Sequence, residues 1–299
     1  MFDMHYDLLT IIYVFKNNKN YLKQIENNIN NLKGVVANLY FMNKKEMKEE
    51  LNINKINVIK MFKETLKILK ASNIKTKLIF SIEGCDYIKN EKELEKLNKL
   101  GLKAILPVWN NKNQYGSGIR TNKGLTKKGK KIIQKAIDLN MAIDLSHANK
   151  KTYFDIIKII KKQNKKVICY ASHSNIYKIC KNKRNLNIKQ IKALKNINGY
   201  LGIVSYPPFL SKNKEKTKLK YIENIKLAIK LMGIDNVVLS TDNMDFYNKL
   251  NNKYEKNLFN YKNVNKEIKE LLNKYFTKKQ IDKLMFKNAE KIYNNIYLV

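Results

Sequence analysis

The residues best suited to chemistry in this chain are its histidines and the carboxylates near them. Only three of the 299 residues are histidine. His5 stands two positions before Asp7, and two side chains at this spacing on an extended strand point to the same side. Histidine and carboxylate together suit Zn2+ and similar divalent metals. The spacing predicts part of a metal site, with a hydrogen-bonded structural pair as the alternative.

The other two histidines each end a β-rich run. His147 closes the segment D-L-S-H, and His173 lies in A-S-H-S. Glu83, in S-I-E-G, ends another apolar run, and its two carboxylate oxygens can each ligate a different ion. We predict that these side chains meet around two metal ions bridged by Glu83. The structural alternative for Glu83 is a surface helix cap.

Eight short β-branched or apolar runs are available to position these residues. They alternate with longer lysine-rich stretches of helical period, the pattern of repeated βα units. The runs cover residues 1–4, 33–41, 77–82, 102–108, 141–145, 167–171, 199–205 and 236–240. The count predicts an α/β fold, a TIM-like (β/α)8 barrel, as one domain over residues 1–299. Helices are expected at 53–70, 126–140, 150–163, 188–196 and 219–232, and further helices at about 263–296.

Barrels of this kind carry their chemistry at the C-terminal ends of the strands. The polar residues directly after the predicted strands are therefore the site candidates. They are His5, Asp7, Glu83, Trp109, Asn110, His147, His173 and Asp242. All three histidines belong to this set, which random placement would rarely produce.

The net charge of +35 raises nucleic acid or an anionic membrane as a partner. Only Arg120 and Arg184 among the 60 basic residues are arginine, and the lysines spread along the whole chain. A nucleic-acid face would concentrate arginine and aromatic residues in one stripe, so we expect no nucleic-acid partner. No apolar run approaches the roughly 18 residues of a membrane span, so we expect no membrane partner. Three scattered cysteines and no evident signal peptide predict a cytoplasmic protein.

A series of short motifs runs along nearly the whole chain. They are M-F-D-M-H-Y-D-L, S-I-E-G, G-L-T-K-K-G, I-D-L-S-H, S-H-S-N with R-N-L, L-G-I-V-S-Y-P-P-F-L and L-S-T-D. Their order and spacing resemble the renal (membrane) dipeptidase family of zinc metallopeptidases. The resemblance implies a barrel of the metal-dependent hydrolase type with two Zn2+ per chain. It places one zinc on His5, Asp7 and Glu83, and the other on Glu83, His147 and His173.

The same resemblance implies roles for further residues. Asp242 would be the catalytic group that moves protons, and Arg184 would bind the carboxylate of the substrate. Trp109 stands where the renal enzyme has a substrate-binding histidine, and we assign Trp109 and Asn110 to the substrate pocket. The family's D-F-D-G is D-N-M-D here, which leaves the role of Asp245 open. The implied activity is hydrolysis of dipeptides with a free C-terminal carboxylate by a zinc-bridged hydroxide, and the family suggests a homodimer.

Two other functions stay open on the sequence. Trp109 leaves room for another metal-dependent amidohydrolase on the same barrel, acting on an N-acyl or cyclic amide. A barrel that has lost its activity and serves as a binding protein is the second alternative. Candidates for every metal ligand argue against that alternative, because decay would be expected to remove at least one of them.

Overall fold

Eight parallel strands organise the protein. The structure, a computed structural model, describes residues 1–42, 44–251 and 253–297. Each strand pairs with the next one in chain order, from the first to the eighth. The strands are β1 (Phe2–Tyr6), β2 (Gly34–Tyr40), β3 (Lys77–Glu83), β4 (Ala104–Leu106), β5 (Ala142–Asp144), β6 (Cys169–Ser174), β7 (Tyr200–Val204) and β8 (Val237–Ser240). Nearly all their residues are buried, as expected of parallel strands covered on both faces.

Helices connect successive strands and cover the barrel. They are α1 (Leu8–Val14), α2 (Lys19–Asn30), α3 (Lys44–Leu51), α4 (Val58–Lys70), α5 (Glu91–Lys99), α6 (Lys127–Asp138), α7 (Lys150–Ile160), α8 (Ile188–Lys195), α9 (Thr217–Met232), α10 (Asp245–Asn251), α11 (Val264–Asn273), α12 (Lys278–Asp282) and α13 (Asn288–Tyr297). A π-helical turn, Lys283–Lys287, joins α12 to α13. Within the described ranges, no helix has both the length and the apolar character needed to cross a membrane.

Local sequence explains where these helices begin. Asparagine side chains accept a backbone N–H at the start of α2, α4, α5, α7 and α8, and such caps satisfy the free amides of the first turn. In α6 the cap is Thr126, and Ile132, Ile133 and Ala136 form the buried face while the lysines face solvent. The many asparagines of the chain therefore define helix ends as well as loops.

The barrel is nearly closed, and side chains and backbone complete the seam between β8 and β1. The carboxylate of Asp3 accepts the backbone N–H of Thr241 at 2.9 Å and its hydroxyl at 2.5 Å. The backbone N–H of Asp242 donates to the carbonyl of His5 at 3.3 Å. These bonds link the first strand to the segment after the last one, and they bring His5 and Asp242 to one edge.

Helix α13 covers the N-terminal end of the barrel. Its Ile292 and Ile296 pack in one apolar cluster with Val36, Ile79 and Val238 of three strands. The side-chain amide of α13's first residue donates to the backbone carbonyl of the first residue of β8 at 2.7 Å. With this end covered, the loops at the C-terminal end are the ones that can hold a site.

The predicted barrel is confirmed, with the eight strands in the predicted order, but some boundaries were wrong. β1 extends to Tyr6 and β6 to Ser174, so His5 and His173 lie inside strands, and Glu83 is the last residue of β3. The pairing register is irregular at both histidines, between Asp3 and Tyr6 and between Ala171 and Ser174. Such bulges re-aim side chains. The predicted helix at 53–70 begins only at 58, and the tail forms three helices with a π-helical turn.

Candidate metal centre

The three histidines and Glu83 converge at the C-terminal end of the barrel. His5 Nε2 lies 2.9 Å from Glu83 Oε2, and His147 Nε2 lies 3.0 Å from Glu83 Oε1. His173 Nε2 lies 3.7 Å from the same Oε1 and 2.9 Å from His147 Nε2. All four side chains are buried. Glu83 thus presents one oxygen to His5 and the other to the two remaining histidines, and it is not a surface helix cap.

Two triads of potential metal ligands share Glu83. One consists of His5, Asp7 and Glu83, and the other of Glu83, His147 and His173. Within each triad the ligand atoms lie within 4.8 Å of one another. These are the two sets that the sequence resemblance implied, and residues from four strands or strand ends supply them.

The chemistry of these side chains fits divalent cations. Asp7 Oδ1 is buried and lacks a hydrogen-bond partner among the described residues, and His5 Nε2 faces only carboxylate oxygens, with Glu83 Oε2 at 2.9 Å. Buried polar atoms of this kind normally find a partner. Neutral imidazole and carboxylate are ligands that Zn2+ accepts, and Glu83 can serve two ions at once. Cations held by both triads would satisfy the unpaired atoms.

The pKa values of the site residues are shifted by burial and by the neighbouring charges. Burial lowers the pKa of His5, but attraction by Glu83, Asp242 and Asp7 outweighs it and raises that pKa to about 10. Burial and the charge of Glu83 raise the pKa of Asp7 to about 8. Burial opposes ionisation of Glu83, yet His5 and His147 hold its pKa below the ordinary value. Burial, with the charge of Arg184, lowers the pKa of His147 to about 3, so this ring stays neutral. The centre therefore favours added positive charge.

Backbone conformation helps to aim the site residues. His147 lies shortly after β5 and Asp242 shortly after β8, and their φ values are 65° and 50°. Non-glycine residues rarely adopt this left-handed region, and strain of this kind clusters at functional sites. Gly84 turns the chain after Glu83 with a φ of 81°, where a Cβ would meet the carbonyl oxygen of Phe41 at 2.6 Å.

Asp242 faces the first triad from the end of the last strand. Its Oδ1 lies 3.8 Å from His5 Nε2, and its side chain is 12% exposed. Burial raises its pKa to about 6, with the charge of Glu83 adding to the rise and His5 opposing it. Asp245 lies outside this centre, because it is exposed and its carboxylate accepts the side-chain amide of Asn257 at 2.6 Å.

Arg184 is a buried cation without a carboxylate partner. Its Nη2 donates to the carbonyl of His173 at 3.2 Å, and its guanidinium carbon lies 5.3 Å from the centre of the Phe209 ring. Its Nε has no hydrogen-bond partner in the described part of the chain, and no ion pair within 4.0 Å is formed there by this side chain. Burial lowers its pKa to about 10. A buried guanidinium with no direct ion pair is suited to an anionic ligand.

A cavity of about 180 Å³ opens over the centre, and its walls are largely aromatic. It is lined by Asp7, Tyr40, Glu83, Trp109, Asn110, His147, Arg184, Tyr206, Phe209, Asp242, Met244, Tyr247 and Tyr254. Trp109 meets Tyr40 edge to face at 5.4 Å, and the Arg120 guanidinium lies 5.4 Å from the Trp109 ring. A second cavity of about 480 Å³ adjoins the first and shares His147 and Arg184 with it.

The structure therefore brings together at one end of the barrel the nine residues to which the sequence assigned a role, whereas Asp245, whose role was open, lies outside the centre. Asn110 lines the cavity, and its Oδ1 lies 2.7 Å from Nδ1 of His147. The sequence did not predict two sets of contacts. Tyr247 donates to Oδ2 of Asp7 at 2.7 Å, and a cluster of polar residues lies behind the histidines. That cluster comprises Asn38, Asp144, Ser146 and Ser172. The available signal was a polar residue inside an otherwise apolar strand.

Fold and site together define a (β/α)8 barrel with a candidate two-metal centre, the architecture of metal-dependent hydrolases. A sequence model of the membrane dipeptidase family (peptidase family M19) matches residues 10–299, so the chain belongs to this family. It is 29% identical over 178 residues to an uncharacterized protein in the pqqA 5'region of Klebsiella pneumoniae. That match spans 55% of this chain and 64% of the relative's length.

Two solved structures share the fold over almost the whole chain. One is a metallopeptidase from Rhodobacter sphaeroides liganded with a phosphinate mimic of the dipeptide L-Ala-D-Ala, with a TM-score of 0.78, 17% identity and 99% coverage of both chains. The other is dipeptidase AC, a metallopeptidase of family M19, with a TM-score of 0.79 and 17% identity. This second match covers 100% of our chain and 98% of the other.

Proposed function

We propose that this protein is a metal-dependent dipeptidase, which hydrolyses the peptide bond of dipeptides with a free C-terminal carboxylate. The observation that carries the proposal is the joint geometry of Glu83 and Arg184. Glu83 is shared by two triads of buried ligands, and an unpaired buried guanidinium lines the same cavity. The Rhodobacter sphaeroides structure, which holds a dipeptide mimic, supports the choice of substrate class.

The metal ions in this proposal are two Zn2+ per chain. His5, Asp7 and Glu83 would hold one, and Glu83, His147 and His173 would hold the other. When bound, such ions lower the pKa of water and polarise a carbonyl, which supplies a nucleophile near neutral pH. The histidines suit this task because the low pKa of His147 keeps its ring neutral.

Arg184 selects the C-terminal peptide bond by the position of the substrate's negative charge. Its planar guanidinium can donate two parallel hydrogen bonds to a carboxylate, and this fork fixes orientation as well as distance. A substrate carboxylate at Arg184 places the adjacent peptide bond over the centre, because both line one cavity of about 180 Å³. The limited size of this cavity is what restricts the chain on the N-terminal side of that bond.

Asp242 is the group that moves protons. It lies beside the first triad, and the rise of its pKa to about 6 makes it a better base than an ordinary carboxylate. In this role it takes a proton from the attacking water and returns it to the leaving amine. Trp109, Asn110 and the tyrosines of the cavity wall contact the substrate and exclude bulk water.

Cysteine and lysine content bear on the compartment and the partners of the protein. Three cysteines are free, and two of them are buried, which fits a reducing compartment such as the cytoplasm. The even spread of lysine supports the absence of nucleic-acid and membrane partners. A homodimer stays a prediction from the family resemblance.

One assay tests the proposal directly. The purified protein is incubated with a panel of dipeptides, with the matching dipeptide amides and with N-acyl amino acids, before and after treatment with a chelator. We expect release of amino acids from free dipeptides only, loss of this activity with chelator, and recovery with zinc. Hydrolysis confined to N-acyl substrates would favour another amidohydrolase activity. A protein that binds no zinc and cleaves nothing would favour a binding role.

A further inference from the structure

A buried hydroxyl lies behind two of the candidate metal ligands. Ser172 Oγ is 2.7 Å from Nδ1 of His173 and 3.4 Å from Nδ1 of His5. The same oxygen donates a hydrogen bond to Oδ2 of Asp144. Ser172 is fully buried, and it meets each ring at the nitrogen other than the one facing Glu83. One hydroxyl thus touches a ligand from each triad.

The direction of these hydrogen bonds follows from counting protons. Asp144 Oδ1 already accepts the backbone N–H groups of Ser146 at 2.9 Å and of Ser172 at 3.1 Å. The other oxygen, Oδ2, accepts the hydroxyl proton of Ser172. The lone pairs of Ser172 Oγ are then what the imidazole rings meet. A ring bonded to this oxygen must carry its proton on Nδ1, which leaves the Nε2 lone pair facing Glu83.

We propose that Ser172, oriented by Asp144, is a positioning residue that sets the Nδ1–H tautomer of His173 and supports that of His5. Because these rings belong to different triads, one hydroxyl prepares a ligand for each metal ion. Metal-binding histidines generally donate their second ring N–H to a protein acceptor, which fixes the tautomer and the ring orientation. The inference rests on the proposed metal centre and assigns a function to two residues outside both triads.

The neighbours of the cluster show that His173 depends on Ser172 more than His5 does. Asn38 Nδ2 lies 3.1 Å from His5 Nδ1 and also donates to the carbonyl of Val36 at 3.3 Å, so His5 Nδ1 has a second neighbour that competes with Ser172. The Nδ1 atom of His173 has only the Ser172 contact among the hydrogen bonds of the described residues. Ser146 Oγ, 3.4 Å from Ser172 Oγ, accepts the backbone N–H of His173 and touches neither ring.

Substitution of Asp144 by asparagine reverses the proton order without changing the size of the side chain. The amide oxygen stays on the two backbone N–H groups, so the amide nitrogen faces Ser172 and donates to it. The proton of Ser172 then turns to His173 Nδ1, and the ring moves its own proton to Nε2. That tautomer presents no lone pair to a metal ion.

Nitrogen NMR of the chelator-treated protein measures this directly. The chain has three histidines, so ¹⁵N-labelled histidine gives three ring signals, which single His→Gln variants assign. We expect Nδ1–H for His173 in the wild type and Nε2–H in Asp144→Asn. The Nδ1 signal of His147 is the internal reference, because this atom faces Asn110, whereas its Nε2 lies 2.9 Å from His173 Nε2 and should respond with that ring. A His173 tautomer that stays the same in Asp144→Asn would overturn the proposal.

Zinc affinity provides the second measurement, by competition with a chromophoric chelator. Ser172→Ala should weaken zinc binding by about 10- to 100-fold, the range found for such supporting contacts. The matched control is Ser174→Ala on the same strand, since this buried hydroxyl has no hydrogen-bond partner in the described structure. Equal affinities in the two variants would contradict the proposal. The NMR result is independent of zinc, so a failure of the proposed metal centre is told apart from a failure of the positioning role.

Discussion

Replacement of Arg184 by methionine should make the protein more stable and less active at once. The side chain is 5% exposed and has no carboxylate partner in the described structure. Burial lowers its pKa from 12.5 to about 10. At 1.36 kcal/mol per pH unit, keeping this charge costs about 3 kcal/mol of folding free energy at neutral pH.

The existing contacts of the guanidinium offset part of this unfavourable free energy. Its hydrogen bond to the carbonyl of His173 and its position over Phe209 stabilise the fold by about 2 kcal/mol together. Methionine keeps an apolar stem in the same space. We therefore expect Arg184→Met to raise the free energy of unfolding by about 1 kcal/mol. Loss of the buried contact to the substrate carboxylate should lower kcat/KM by about 100-fold or more.

Urea unfolding and dipeptide hydrolysis measure the two effects in parallel. Arg120→Met is the control, because this other arginine is 55% exposed and pairs with Glu46 at 3.6 Å; its unfolding free energy should change by about 0.5 kcal/mol or less. Arg184→Met should also lose the preference for a dipeptide over its amide. A loss of more than about 2 kcal/mol of stability in Arg184→Met, with the preference for a dipeptide over its amide retained, would contradict this prediction.

Three further substitutions test other parts of the molecule. Asp242→Asn should keep its metal content and lose about 10²- to 10⁴-fold in kcat, whereas Asp245→Asn, outside the centre, should retain activity; equal kcat values in the two variants would exclude the proton-transfer role. Tyr247→Phe removes the hydrogen bond to Asp7 Oδ2 and should weaken zinc binding by about tenfold in chelator competition, and an unchanged affinity would contradict this. Burial raises the pKa of Asp86 from 3.8 in the unfolded chain to about 6 in the folded protein. The contribution of the protonated carboxyl to the stability of the fold is therefore full below pH 3.8 and is lost as the pH rises through 6. In urea unfolding, Asp86→Asn should gain up to about 3 kcal/mol over the wild type between about pH 4 and 8, and a pH-independent difference would count against it.

The fold was predictable because each βα unit carries its own periodicity. The strand at 77–82 and the helix at 126–140 differ from β3 and α6 by only a few residues at their ends, and these patterns depend on neighbours in sequence. The metal ligands were predictable for another reason. Histidine is rare in this lysine- and asparagine-rich chain, so its positions near strand ends carried information.

The orientation of individual side chains could not be read from alternation alone. Asp3, His5 and Asp7 are alternate residues of the chain, so regular strand geometry would point them to the same side. Asp3 nevertheless bonds Thr241 at the barrel seam, while His5 reaches the centre. The register irregularity between Asp3 and Tyr6 separates them, and nothing local in the sequence marks it. Parity predicts a common direction only where the pairing is regular.

Residues that support the ligands were hidden for a chemical reason. Asn38 belongs to a type that is common throughout the chain, and Ser172 is one of nine serines. Only the packing of β2 against β1 and of β5 against β6 gives the two residues their partners. The cavity wall after β8, including Tyr247 and Tyr254, comes from a segment without a strong period. These contacts are made by side chains distant in sequence, so the local pattern carries little information about them.

The positive charge of the protein and the negative charge of its centre do not conflict, because they act at different depths. Lysines are spread over the exposed surface, where solvent and salt screen their fields within about 10 Å. Asp7, Glu83 and Asp144 are buried, where charges are screened far less. The drift of the surface towards lysine could therefore proceed while the buried carboxylates kept a centre that favours cations. Arginine at 184 fits the same division, since its buried guanidinium has no hydrogen-bond partner at Nε in the described structure and is available to an anionic ligand.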